Sequence, residues 1–153
     1  MAFPGTDACW VALSTDASAA MIARASIWAA LHPECTSGQI FNIADSAKPK
    51  AMKERWPALA AYFGLVGVGP GEEPGLMPGE YVQKHQDVLR ERGIKSNDVF
   101  GAKFLDTVGF YLSFDRQLSL EKIRNAGFEE EVNSDLAWFK AFDRFKEAGM
   151  ILP

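Results

Sequence analysis

Cysteine and histidine are scarce in this chain, at two residues each in 153. Cys9 and Cys35 are too few for a disulfide scaffold, so free thiols in a reducing, cytoplasmic setting are expected. His32 and Cys35 form one H-x-x-C pair, and no second pair stands at metal-ligand spacing, so no metal is expected. Basic residues do not outnumber acidic ones: 16 Lys and Arg against 20 Asp and Glu give a formal charge of −4. That balance argues against a nucleic-acid or anionic-membrane surface. No apolar run approaches the roughly 20 residues that span a bilayer. The start, "MAFPGTDACW", has neither a basic n-region nor an apolar h-region. G-x-S-x-G and G-x-x-x-x-G-K-[ST] are both absent.

What is present suits an ordinary globular protein, with 48% hydrophobic and 24% charged residues. The length fits one compact domain over 1–153. "STDASAAMIARASIWAALHP" predicts a helix, with Ser14, Thr15 and Asp16 as capping oxygens and Pro33 as its limit. Met21, Ile22, Ala25, Trp28, Ala29 and Leu31 leave it little polar surface, so burial or an interface is expected. "QIFNIADSAKPK" predicts a short strand over Ile40 to Asp45, whose partner is not evident. "AMKERWPALAAYFGL" predicts a helix with Pro57 in its first turn or at a kink. Further helices are expected over Tyr81 to Arg92, Asp98 to Leu112, Ser119 to Asn125 and Asp135 to Ala148, the last with an aromatic stripe. The expected fold class is α+β, mainly α, with one or two short strands.

Several motifs bear on chemistry. "GLVGVGPG" follows a helix and enters the Gly/Pro-rich loop from Gly67 to Tyr81, so its spacing fails the dinucleotide fingerprint. Tyr81 and His85 stand at i, i+4, where a phenol and an imidazole share one helix face. Such a pair can hold a substrate oxygen and move a proton, and a plain solvated face gives the same pattern. In "FLDTVGFYLSFD", Phe104, Asp106, Phe110, Tyr111 and Phe114 can line an apolar pocket with one carboxylate, or simply form core.

Four stretches are more specific: "FPGTDACW", "ASAAMIARASIWAALHPECTSGQIFNIAD", "RWPALAAYFGL" and "FDRQLSLEKIRNAGF…WFKAFDRFKEAGMILP". In that order they resemble the C-terminal half of the PRISE-like extended short-chain dehydrogenase/reductases, above all fungal members of the progesterone 5-beta-reductase and iridoid synthase group. The resemblance implies a helical substrate-side lobe, with "IFNIAD" as a late strand of a Rossmann sheet whose other strands lie in the N-terminal half. The resemblance also implies that the glycine-rich loop and the catalytic Tyr and Lys lie in that N-terminal half; with His85 where a Y-x-x-x-K pattern from Tyr81 needs lysine, no family catalytic or cofactor residue transfers. A natural truncated homologue is therefore expected, working as a homodimer without a nucleotide cofactor. Its expected activity is that of an isomerase or cyclase on an apolar polyketide- or terpenoid-like intermediate of fungal secondary metabolism. His85, Tyr81 and Asp106 are the candidate catalytic residues, and Trp10, Phe104, Phe110 and Tyr111 the candidate substrate contacts. The alternatives are a reductase fragment that needs a Rossmann partner, and a non-catalytic module for an apolar ligand. The pocket is expected near the loop from Gly67 to Tyr81.

Overall fold

The computed structural model describes residues 1–71, 76–94 and 105–152. The elements in chain order are α1 (Asp7–Val11), β1 (Leu13–Ser14), α2 (Ala19–Leu31), α3 (Pro33–Thr36), β2 (Lys50–Ala51), α4 (Met52–Tyr62), α5 (Pro78–Lys84), α6 (Gln86–Glu91), a π-helical turn (Thr107–Tyr111), α7 (Glu121–Asn125) and α8 (Ser134–Glu147). The architecture is mainly helical. Among the described residues its sheet is one antiparallel pair, with Leu13 opposite Ala51 and Ser14 opposite Lys50.

The predicted strand is corrected by this sheet. Ile40 to Asp45 joins no ladder among the described residues. Its last residue makes two backbone bonds elsewhere: Asp45 N–H donates to Asp16 C=O at 2.7 Å, and its C=O accepts Val132 N–H at 2.8 Å. Phe41, Ile43 and Ala44 pack with Met21, Ala25, Leu120, Ile123 and Phe128 into a core cluster. Ile40 faces outward and is 85% exposed.

The start of α2 is set by Ser18, not by Ser14, Thr15 or Asp16. Ser18 Oγ accepts Met21 N–H at 3.2 Å, satisfying one of the donors a helix start leaves open. Ser14 is held in β1, and Asp16 is taken by an ion pair with Arg55. Asp45, only 1% exposed, accepts both Ser18 N–H (3.0 Å) and Ser18 O–H (2.7 Å). The buried carboxylate thus anchors the capping residue itself. Along α2, Met21 and Ala25 are buried, whereas Ile22, Ile27 and Leu31 remain exposed, so the expected burial holds for one face only.

Other boundaries also shift. α4 starts after Ala51, whose N–H is accepted by the Glu54 carboxylate at 2.9 Å, and Pro57 lies inside the helix. The predicted helix from Tyr81 to Arg92 is two helices that meet at His85, where φ is −112° and ψ is 14°. Of the predicted helix from Asp98 to Leu112, residues 98–104 lie outside the described ones, and Thr107–Tyr111 is a π turn. That turn lies against the N-terminal segment, where Thr6 N–H donates to Gly109 C=O at 2.9 Å. A Cβ on Gly5 or Gly109 would collide with the backbone of the facing segment, so both positions require glycine. Gly127 ends α7 with a φ of 109°.

His32 and Cys35 are occupied by local backbone. His32 Nδ1 lies 2.8 Å from Trp28 C=O, and Cys35 Sγ lies against the His32 and Ala126 carbonyls. No group of three metal-ligating side chains occurs among the described residues. No helix among them is long and apolar enough to cross a membrane.

Asp45→Ala leaves the Ser18 donors unpaired at a partly buried site and should lower unfolding free energy by about 1–2 kcal/mol. Urea denaturation followed by far-UV circular dichroism checks this, and an unchanged midpoint would remove Asp45 as the anchor of α2.

Candidate functional site

A cleft of about 440 Å³ opens between the N-terminal segment, α4, the π turn and α8. Met52, Trp56, Leu59, Ala60 and Phe63 form one wall. Their spacing is the one that places side chains on a single helix face. Trp138 and Phe142, one turn apart on α8, form the facing wall, and Phe3, Pro4, Val108 and Gly109 close one side. The glycine contact between residues 5 and 109 lets those two segments meet closely enough to do so. Met1, Leu65, Pro78 and Leu105 complete the lining, so both flanks of the Gly/Pro-rich loop reach the cleft.

The chemistry of this lining is uniform. Among the described lining residues no side chain is ionisable, and the Met1 ammonium is taken up by Val66 C=O. The two indoles have polar handles, but both are used elsewhere: Trp56 Nε1–H donates to Met1 C=O at 3.1 Å, and Trp138 Nε1–H donates to an Asp16 carboxylate oxygen at 3.0 Å. What faces the cleft is therefore hydrocarbon and aromatic ring. Such a surface binds by excluding water, and none of its described side chains is able to move a proton.

The candidate residues are distributed around this cleft and do not line it. Tyr81 and His85 are brought together, with ring centroids 4.5 Å apart, and Tyr81 is 54% exposed. Their helix reaches the cleft only through Pro78. Asp106 Oδ1 accepts Gly79 N–H at 2.8 Å, which anchors the first turn of α5. His85 follows the other end of this seven-residue helix, about 10 Å away at 1.5 Å per residue. Trp10 packs on Phe3 at 5.3 Å and backs the wall from behind. Phe110 and Tyr111 point away, because the π turn presents Val108 and Gly109 to the cleft instead; Tyr111 is 63% exposed. Phe104 lies outside the described residues.

Sequence reasoning passed over the residues that do line the cleft. Their signal was the apolar spacing in "RWPALAAYFGL" and the stripe of Trp138 and Phe142, both of which read equally as core. Outside the cleft, the Tyr62 hydroxyl donates to the Asp143 carboxylate, and the Tyr62 ring stacks on Phe139 at 5.2 Å. Lys146 Nζ sits 4.5 Å from the centre of the same ring. This brace joins α4 to α8 beside Phe63 and Phe142.

A family model described as a PRISE-like Rossmann-fold domain matches residues 1–153. Among curated proteins, the short chain dehydrogenase sirS of Leptosphaeria maculans is 33% identical over 99% of this chain and 41% of its own length. The short chain dehydrogenase ausT of Aspergillus calidoustus is 27% identical over 99% of the chain and 38% of its own. (S)-8-oxocitronellyl enol synthase of Catharanthus roseus is 22% identical over 96% of the chain and 39% of its own. The chain thus spans about two fifths of the length of these relatives.

The Asp143 hydrogen bond, followed by desolvation and the carboxylate charge, raises the Tyr62 phenol to about 12. A folded-state pKa above the unfolded value of about 10 means that the contact stabilises fully below pH ~10 and is lost as pH rises through ~12. Phenolate absorbance should show one tyrosine ionising last, and Asp143→Asn should return it towards ~10. A late tyrosine that persists in Asp143→Asn would show that another group sets the shift.

Proposed function

The chain belongs to the PRISE-like Rossmann-fold domain family, and we propose that it supplies the substrate-binding element of a short-chain dehydrogenase-type enzyme acting on an uncharged, apolar intermediate of secondary metabolism. The cleft carries this reading. Its volume of about 440 Å³ suits a small molecule, and its lining selects for hydrocarbon surface. Two of the relatives bear the name short chain dehydrogenase, and their source is fungal.

The family implies a dinucleotide, and the described residues do not fit one. The strand-to-helix junction from β2 to α4 has no glycine, and Gly64, Gly67, Gly69 and Gly71 follow a helix. No dinucleotide contact is assigned to them, and no step is derived through one. We assign the nucleotide side to parts of the longer relatives that this chain does not cover, in keeping with the two-stranded sheet found among the described residues. The residues of this chain bind, orient and exclude water, which is where proximity contributes to a rate.

One observation favours a second reading, a cofactor-independent isomerase or cyclase. The Tyr81 and His85 rings lie in contact, one and two turns beyond Pro78 at the cleft. A phenol and an imidazole thus stand together on the segment that enters the cleft at Pro78. Under this reading His85→Gln lowers turnover at least tenfold and the product keeps the substrate's mass; unchanged turnover dismisses it.

The principal reading is tested with N-phenyl-1-naphthylamine, a neutral apolar fluorophore. Binding with enhanced, blue-shifted emission is expected, and Val108→Trp should weaken it about tenfold or more by filling the cleft. No saturable binding by the folded chain would sink the substrate-binding role. Titration with NADPH alongside it separates the readings, since tight binding to this chain would place a nucleotide site among its own residues.

A further inference from the structure

Trp138 is a cleft wall at one edge and a hydrogen-bond donor at the other. Its indole N–H reaches an oxygen of Asp16, and that same oxygen pairs with the Arg55 guanidinium. Arg55 is 2% exposed and also donates to Ser14 C=O at 2.8 Å, so it cannot move without disturbing β1. Asp16 lies on the short link between β1 and α2, and its C=O accepts Asp45 N–H at 2.7 Å. The carboxylate is therefore fixed from two directions before it meets the indole. Trp138 itself is half-buried, and Phe142 next to it has its ring centre 5.8 Å away. Neither Phe142 nor Leu59 has a polar handle, so among these three wall side chains only Trp138 can be oriented by a directional bond.

We propose that Asp16, held by Arg55, is a positioning residue for the cleft: its hydrogen bond to Trp138 fixes the indole plane and so sets the width available to an apolar ligand. The claim rests on the substrate-binding reading of the cleft, but the orientation of Trp138 is measurable without a ligand. Asp16 touches no ligand and acts only through the indole. A tryptophan held by packing alone would leave the ring free to tilt, because the cleft side offers it empty space. The ion pair removes that freedom, and it does so from outside the cleft, where no ligand competes for the bond.

The test uses the full chain labelled with 5-fluorotryptophan, with the Trp138 fluorine resonance identified by Trp138→Phe. Asp16→Asn keeps an acceptor but breaks the ion pair. It is expected to shift and broaden the Trp138 resonance and leave that of Trp28 in place. N-phenyl-1-naphthylamine affinity should fall about fivefold in Asp16→Asn, and this loss should vanish in the Trp138→Phe background, because the two residues act as one unit. A purely structural Asp16 would instead cost the same affinity in both backgrounds, or none. Either of those results, or an unmoved Trp138 resonance in folded Asp16→Asn, overturns the proposal. Should Asp16→Asn not fold, Asp16→Glu keeps the charge and displaces the acceptor, and the same resonance must shift. If the unaltered chain binds no probe, the substrate-binding reading fails, and the fluorine resonance still decides the positioning claim.

Discussion

A single buried guanidinium organises this fold. Arg55 is almost fully enclosed, pairs with Asp16, and donates to the backbone carbonyls of Ser14 and Lys50. One side chain of α4 thereby closes β1 onto β2 and fixes the start of the link to α2. Burial lowers its pKa from the ordinary arginine value, Asp135 opposes that shift, and Arg116 adds to it. Arginine resists deprotonation in proteins, so the cation persists and its partners must stay in place. Removing one partner of such a pair leaves a charge without compensation, which is costlier than never having buried it. The surrounding polar groups follow from this constraint: Lys50 pairs with Asp135 at 2.9 Å, and Trp138 completes the coordination of Asp16.

The polar centre and the apolar cleft are consequences of one packing arrangement. α4 turns Arg55 to the sheet and, one residue on, turns Trp56 to the cleft. Successive helical residues point about 100° apart, so a helix can serve a charged network and an aromatic wall at once. α8 does the same with Asp135 and Trp138. The core around Met21 and Phe128 lies apart from both, and Asp45 links it to the charged centre through Asp16. Asp45 is the residue that makes "IFNIAD" structural here. The segment buttresses the core through its buried end, Ala44 and Asp45, and joins no ladder among the described residues.

The helices α2, α4 and α8 were legible because each combines an apolar period with a recognisable end. The helix from Ser119 to Asn125 was legible through Gly127, although its start moved to Glu121. The two-residue strands were not, since Leu13–Ser14 and Lys50–Ala51 are too short to show alternation. The break at His85 had no glycine or proline to announce it. The π turn depends on the approach of Pro4 and Gly5, a contact across about a hundred residues that local pattern cannot carry. At the site, the Tyr81–His85 contact was readable from i, i+4 spacing. The cleft lining was not, because Trp56, Phe63, Trp138 and Phe142 would read the same if the space between them were filled. Periodicity says which face is apolar and is silent about whether that face meets an atom or a void.

A cleft of this kind discriminates by shape. Among the described residues its side chains offer no charge, so a charged ligand group must go unpaired or be directed to the mouth. Each methylene removed from water contributes about 0.8 kcal/mol, and a hydrophobic pocket distinguishes neighbours differing by one methylene by only about 1–3 kcal/mol. Selectivity finer than that requires walls that do not yield. Two of the walls here are braced from outside, Trp138 through Asp16 and Arg55, and the Tyr62–Phe63 end of α4 through Asp143 and Lys146. The charged groups of this site thus contribute without meeting the ligand. They hold an apolar surface to one shape, and shape is the only means of recognition that such a surface has.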